Sequence, residues 1–206
     1  MHILKLKTLS MIFIATAMAF VLSSCNEEET NPVDSDMGRL QLEMTDAPMN
    51  LDLVSEANVT ISHIEARRVQ EEDTANPFIE IYNETETYNL LELRNGVTEQ
   101  LADIEVPAGS YDLIRMYVDN ASLTLTNGMT YDVKVPSGEQ TGIKVFIDPA
   151  LQVEGGLTSE LLLDFDVSQS FVLKGNPDSP AGIKGFNFKP VIRAVNKTTA
   201  GRIEGI

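Results

Sequence analysis

The chain has 206 residues, 31 of them acidic and 15 basic, for a net charge of −16, with one Cys, no Trp and two His. A surface this acidic repels nucleic acid and anionic lipid headgroups. A single Cys excludes an intrachain disulfide, and with only His2 and His63 a His-rich metal centre or a Ser-His-Asp triad has almost nothing to be built from.

At the N-terminus Lys5 and Lys7 precede an apolar run from Met11 to Leu22, broken only by Thr16. Twelve residues suit the h-region of a signal peptide and fall well short of the ~20 that a spanning helix needs. Leu22-Ser23-Ser24-Cys25 then places the chain's one thiol where a lipoprotein signal has its acceptor. Residues 1–24 are therefore expected to be a signal peptide, with lipid on Cys25. Asn26-Glu27-Glu28-Glu29 follows, and residues 25–37 are polar, contain Pro32 and lack periodicity, as a disordered tether does. The acidic run Glu27, Glu28, Glu29 resembles the surface-export signal of Bacteroidetes lipoproteins; the alternative is a plain solvated linker. Taking the two signal lysines from the 15 basic residues leaves 13 against 31 acidic in the mature chain.

From Gly38 the hydrophobic period is two. Leu40, Leu42 and Met44 form a first strand. Val59 and Ile61 lie on one face and Ile64 and Ala66 on the other, so the phase change at Ser62-His63 predicts a β-bulge. Phe78 to Tyr82 is a short strand. Residues 88 to 103 read as a strand with a helical turn. A long strand runs from Tyr111 to Val118 after the turn Pro107-Ala108-Gly109. Around Asn127-Gly128 a three-residue loop, Thr126 to Gly128, pairs Leu125 with Met129 and Leu123 with Tyr131 and places all four on the buried face. Gly128 is then left-handed. Strands follow at Gly142 to Ile147, Glu160 to Val167, Ser170 to Leu173 and Gly185 to Val195, with Pro190 implying an edge or a bulge in the last. The pattern predicts an all-β, two-layer antiparallel sandwich over residues 38–196, with residues 197–206 as a C-terminal tail.

Thr45-Asp46-Ala47-Pro48, Leu91 to Gly96, Pro107-Ala108-Gly109-Ser110-Tyr111 with Arg115, Pro136-Ser137-Gly138 with Thr141-Gly142-Ile143-Lys144, Leu163-Asp164-Phe165-Asp166 and Lys189-Pro190-Val191-Ile192 come in an order that resembles the family called domain of unknown function 4382. The resemblance covers roughly Gly38 to Val195. It implies a bacterial or archaeal envelope protein, often with a lipoprotein signal, and brings no catalytic residue. The Pro-Ala-Gly-x-Tyr turn also resembles transthyretin-like sandwiches, which bears on fold alone.

His63 with Glu65 two residues on is half of a metal or acid–base site, or else a strand residue at a bulge. Arg115 shares a strand face with Tyr111, Leu113 and Tyr117 and needs an acidic partner or a ligand. Asp164 and Asp166, two apart in a strand, are expected on one face, where two like charges call for a basic side chain, solvation or a Ca²⁺ ion. Asp73-Thr74-Ala75 resembles the O-glycosylation motif of Bacteroidetes envelope proteins, with Thr74 as acceptor.

The expected function is a non-enzymatic binding or structural module, lipid-anchored at the outer membrane and facing the cell surface, with an envelope protein or a glycan as partner, no nucleic-acid partner and no cofactor beyond that Ca²⁺. One alternative is an accessory glycan-binding or hydrolytic protein, with a cleft lined by Tyr82, Tyr88, Tyr111, Tyr117 or Tyr131. Another is a pilus-type adhesion subunit.

Overall fold

A computed structural model describes residues 36–46, 53–69, 76–135, 141–176 and 182–198, all within the unit Asp34–Ile206. Strand periodicity builds two sheets with alternately buried side chains. The smaller has the order β12-β9-β1-β5, from β1 (Met37–Asp46), β5 (Glu99–Pro107), β9 (Thr158–Phe165) and β12 (Ile192–Asn196). The larger is centred on the long strands β2 (Val54–Arg68) and β6 (Gly109–Leu125). Each long strand is flanked by two short ones laid end to end. β3 (Phe78–Tyr82) and β4 (Glu86–Asn89) border β2, and β7 (Thr130–Val133) and β8 (Ile143–Val153) border β6. A ribbon of β10 (Phe171–Gly175) and β11 (Ile183–Phe188) completes the all-β sandwich.

The core between the sheets takes Leu40, Leu42 and Met44 from β1, Val59, Ile61, Ile64 and Ala66 from β2, and Leu161, Leu163 and Phe165 from β9. Removing apolar surface from water at ~25 cal/mol per Å² drives this assembly. One pairing departs from the antiparallel expectation: β1 and β9 run parallel, Arg39 opposite Thr158 through Asp46 opposite Phe165. Short-range alternation carries no information about which distant strand becomes a neighbour.

The bulge expected at Ser62-His63 is present and has a counterpart. Thr60 pairs with Asn120, Ile61 with Val118 and His63 with Tyr117, so Ser62 is extra on β2 and Asp119 is extra on β6. Ser62 Oγ donates to Asp119 Oδ1 at 2.6 Å, and both strands change phase together. The hairpin also has the expected register. Leu125 N–H donates to Met129 O, Leu123 lies opposite Tyr131, and Gly128 has φ of 84°. Leu123 and Leu125 are buried and Tyr131 is half-buried, but Met129 is 51% exposed, because it sits at the open end of the sheet.

Three expectations change. The strand expected over Glu160 to Val167 stops at Phe165, and Val167–Ser170 forms a one-turn helix, α1, capped by Asp166. The strand expected over Gly185 to Val195 is two strands in different sheets, broken at Lys189 to Val191, because Pro190 cannot donate to a ladder. The strand ending at Val118 runs on to Leu125, carried through its polar outer residues by pairing with β2.

Candidate functional site

The outer face of the larger sheet, away from the core, has two unlike halves. Beyond the paired bulges it is polar: Glu56, Asn58 and Thr60 on β2, Thr87 on β4, Ser122 and Thr124 on β6, Thr130 and Asp132 on β7. On the near side the register builds rows of larger side chains across four strands. One row reads Phe78, Arg67, Leu113, Phe146, from β3 to β8. The next reads Glu80, Glu65, Arg115, Lys144. A third, shorter row holds His63 and Tyr117.

The contacts in this half centre on Glu65. Its Oε2 accepts from Arg115 Nη1 at 3.2 Å and from Tyr117 Oη at 3.1 Å. His63 lies between two carboxylates, with Nε2 3.5 Å from Glu65 and Nδ1 3.4 Å from Glu80, and its ring tilts on Tyr117 at 5.1 Å. The Arg115 guanidinium reaches back over β2 to stand 3.7 Å above the Phe78 ring, a cation–π contact of about 0.5–2 kcal/mol. Its buried Nε has no hydrogen-bond partner among the described residues. Gly142 makes this position possible: a Cβ there would stand 2.4 Å from Arg115 Cγ. Arg67 holds Asp112 through two bonds of 2.8 and 2.9 Å. Phe146 closes its row with 66% of its surface exposed.

Arg115 therefore has both an acidic partner and an aromatic one. The shared face expected for Tyr111, Leu113, Arg115 and Tyr117 needs correction. The register slips at Asp112, which sends Tyr111 into the core, where its hydroxyl donates to Pro107 O at 2.7 Å. The expected aromatic cleft loses three of its five rings to the core. Tyr82 and Tyr88 are also core residues, their hydroxyls 3.1 Å apart, and Tyr117 and Tyr131 lie in different parts of the fold.

Asp164 and Asp166 do not share a strand face. Asp164 sits opposite Arg193 in β12, which supplies the positive neighbour a carboxylate needs. Asp166 turns inward and caps α1, accepting from Gln169 N at 3.0 Å, Ser168 Oγ at 2.6 Å and the Gln169 side chain. Burial works to raise its pKa, but these bonds and the charge of Arg193 hold it below the usual carboxylate range. Among the described residues no three His, Cys, Asp or Glu converge as metal ligands do. Melting midpoints in millimolar Ca²⁺ and in chelator are therefore expected to coincide; a clear rise with Ca²⁺, lost in Asp164→Asn with Asp166→Asn, would restore the ion. Cys25, Glu27, Glu28, Glu29 and Thr74 lie outside the described residues.

Two features have no clear sequence signal. Phe146 alternates with buried Val145 and Ile147, so only register reveals the row it ends. Asp46, at the end of β1, is 3% exposed. Its Oδ1 accepts from Val167 N at 3.1 Å, and its Oδ2 is buried without a partner among the described residues. Burial, opposed by that bond and by Arg94 and reinforced by Asp164 and Asp166, pushes its carboxyl up to about 7.

A profile of the family described as "Domain of unknown function (DUF4382)" matches residues 37–190. No curated protein and no solved structure matches the chain.

Proposed function

The chain belongs to the domain of unknown function 4382 family, and from that footing we propose that it is a cell-envelope protein held at the outer membrane by lipid on Cys25, its sandwich serving as a non-enzymatic binding or structural module. The observation that carries this reading is the order of features at the N-terminus: two lysines, a 12-residue apolar run, a lone Cys, three glutamates, and β1 beginning at Met37. No helix among the described residues is long and apolar enough to cross a membrane, so in this reading attachment falls to the lipid. Each buried methylene contributes ~0.8 kcal/mol, and two or more acyl chains hold stably.

The sandwich supports a role in contact rather than turnover. On the outer face of the larger sheet Glu65 pairs with Arg115 and Asp112 with Arg67. Burial of Tyr82, Tyr88 and Tyr111 also removes most of the aromatic lining on which the glycan-cleft alternative depended. The transthyretin-like comparison rests on the Pro107 to Tyr111 turn alone.

The test labels cells with radioactive palmitate, fractionates them and treats whole cells with protease. The native chain should carry label, fractionate with the outer membrane and be digested from outside. Cys25→Ala should accumulate as unlabelled precursor. A mutant that still matures and stays in that fraction would defeat the anchor. Survival of the native chain on protease-treated cells would place it on the periplasmic side.

A further inference from the structure

The rows on the outer face have unlike ends. In one, Phe78 on β3 stands at the far side from Phe146 on β8; in the next, Glu80 on β3 stands at the far side from Lys144 on β8. Phe146 is 66% exposed and the Glu80 side chain 53%. A two-fold axis lying over the seam between β2 and β6, parallel to the strands, exchanges these ends. It sets Phe146 of one copy over Phe78 and the Arg115 guanidinium that covers it in the other, and Lys144 over Glu80. A two-fold axis across the strands instead stacks β3 on β3 and β8 on β8, so that Lys144 cannot reach Glu80 of the other copy.

A second observation selects the same axis. Ala108 N–H donates to Asp36 O at 2.7 Å, so β1 starts at the end of the sandwich where β6 starts. An axis parallel to the strands leaves both chain starts at one end, and an axis across them sends the starts to opposite ends.

We propose that this half of the outer sheet face is a docking surface for a second copy of the chain, paired face to face about a two-fold axis parallel to β2 and β6. The self-complementary ends set the register. Packed sheets lie about 10 Å apart, within reach of paired Phe, Lys and Glu side chains. Four strands at ~4.8 Å spacing and three rows cover on the order of 400 Å² per copy, against the roughly 800 Å² of a standard interface. The pairing is accordingly weak in dilute solution and gains from confinement on a shared surface, where effective concentration is high. That gain, and the choice of axis from the chain starts, rest on the anchoring reading; the complementary row ends do not.

The full chain is expressed in cells as two variants, Glu80→Cys and Lys144→Cys, alone and together, and the cells are treated with a short bis-maleimide and labelled with palmitate. The docked geometry predicts cross-linked dimer when the variants are co-expressed. It predicts little from either variant alone, because each residue then lies about 14 Å to the side of its own copy, and none from the native chain. Adding Phe146→Ser to both variants should cut the dimer about fivefold or more, with the thermal melt of the purified chain unchanged. If the mixed variants cross-link no better than either alone, or if Phe146→Ser leaves the yield intact, the docking face is refuted. Palmitate label without cross-linking removes the face and keeps the anchor; cross-linking without label does the reverse.

Discussion

Replacing Asp46 by Asn should flatten the pH dependence of stability and make the domain more stable at pH 8 by about 2–3 kcal/mol, while leaving it nearly unchanged below about pH 4. The sign follows from the direction of the shift. Burial raises the folded carboxyl from 3.8 to about 7. Between those values the folded state keeps a proton that the unfolded chain has lost, so stability is full below about pH 4, falls as pH rises from about 4 to about 7, and levels off above. A three-unit shift at ~1.4 kcal/mol per unit sets a ceiling near 4 kcal/mol, and local relaxation lowers it. Asn keeps the Oδ1 acceptor for Val167 N–H, and its amide replaces a protonated oxygen that has no partner among the described residues. Melting midpoints from pH 4 to 9 check this. The variant should lead by about 5–10 °C at pH 8; parallel profiles for the two chains would show that the Asp46 carboxyl ionises freely.

Gly38→Ala should destabilise by about 2–3 kcal/mol and Gly38→Val by more. Gly38 lies where the turn between β8 and β9 closes over the start of β1: Gly156 N–H donates to Met37 O and Arg39 N–H to Leu157 O. A Cβ on Gly38 would stand 2.5 Å from the Glu154 carbonyl oxygen and 2.6 Å from Val153 Cγ1. The first neighbour is backbone and can yield only by moving the turn, at the cost that overpacking imposes. Gly128→Ala is the control. Nothing lies within 4 Å of its Cβ position, but φ is 84°, so only the left-handed conformation is penalised, by ~1 kcal/mol. Urea unfolding of the three variants separates crowding from conformational strain; equal losses for Gly38→Ala and Gly128→Ala would contradict the close approach.

What could be read in the sequence was what neighbouring residues dictate. The switch in face at Ser62-His63 is visible because two buried pairs, Val59 with Ile61 and Ile64 with Ala66, cannot share one phase. The hairpin register is visible because only a three-residue loop puts Leu123 and Tyr131 on the same side. One assumption, that period two continues unbroken, misplaces Tyr111 and Asp166. A slip at Asp112 and a helical turn after Phe165 broke it, and neither residue type announces the break. The rows on the outer face were beyond reach altogether. They need the register of four strands at once, and β8 is set against β6 only by the folded sheet.

The parallel pair of β1 and β9 bears on how the domain comes to exist. Roughly 120 residues separate Arg39 from Thr158, so the smaller sheet closes one of the longest loops in the chain, and such pairings form late. Until residues 158 to 165 have emerged, β1 has no partner on that side, and β5 alone can hold it in a two-stranded ribbon, which is marginal in water. A chain threaded N-terminus first through a narrow passage would stay open for most of its transit and commit to its fold only near the end.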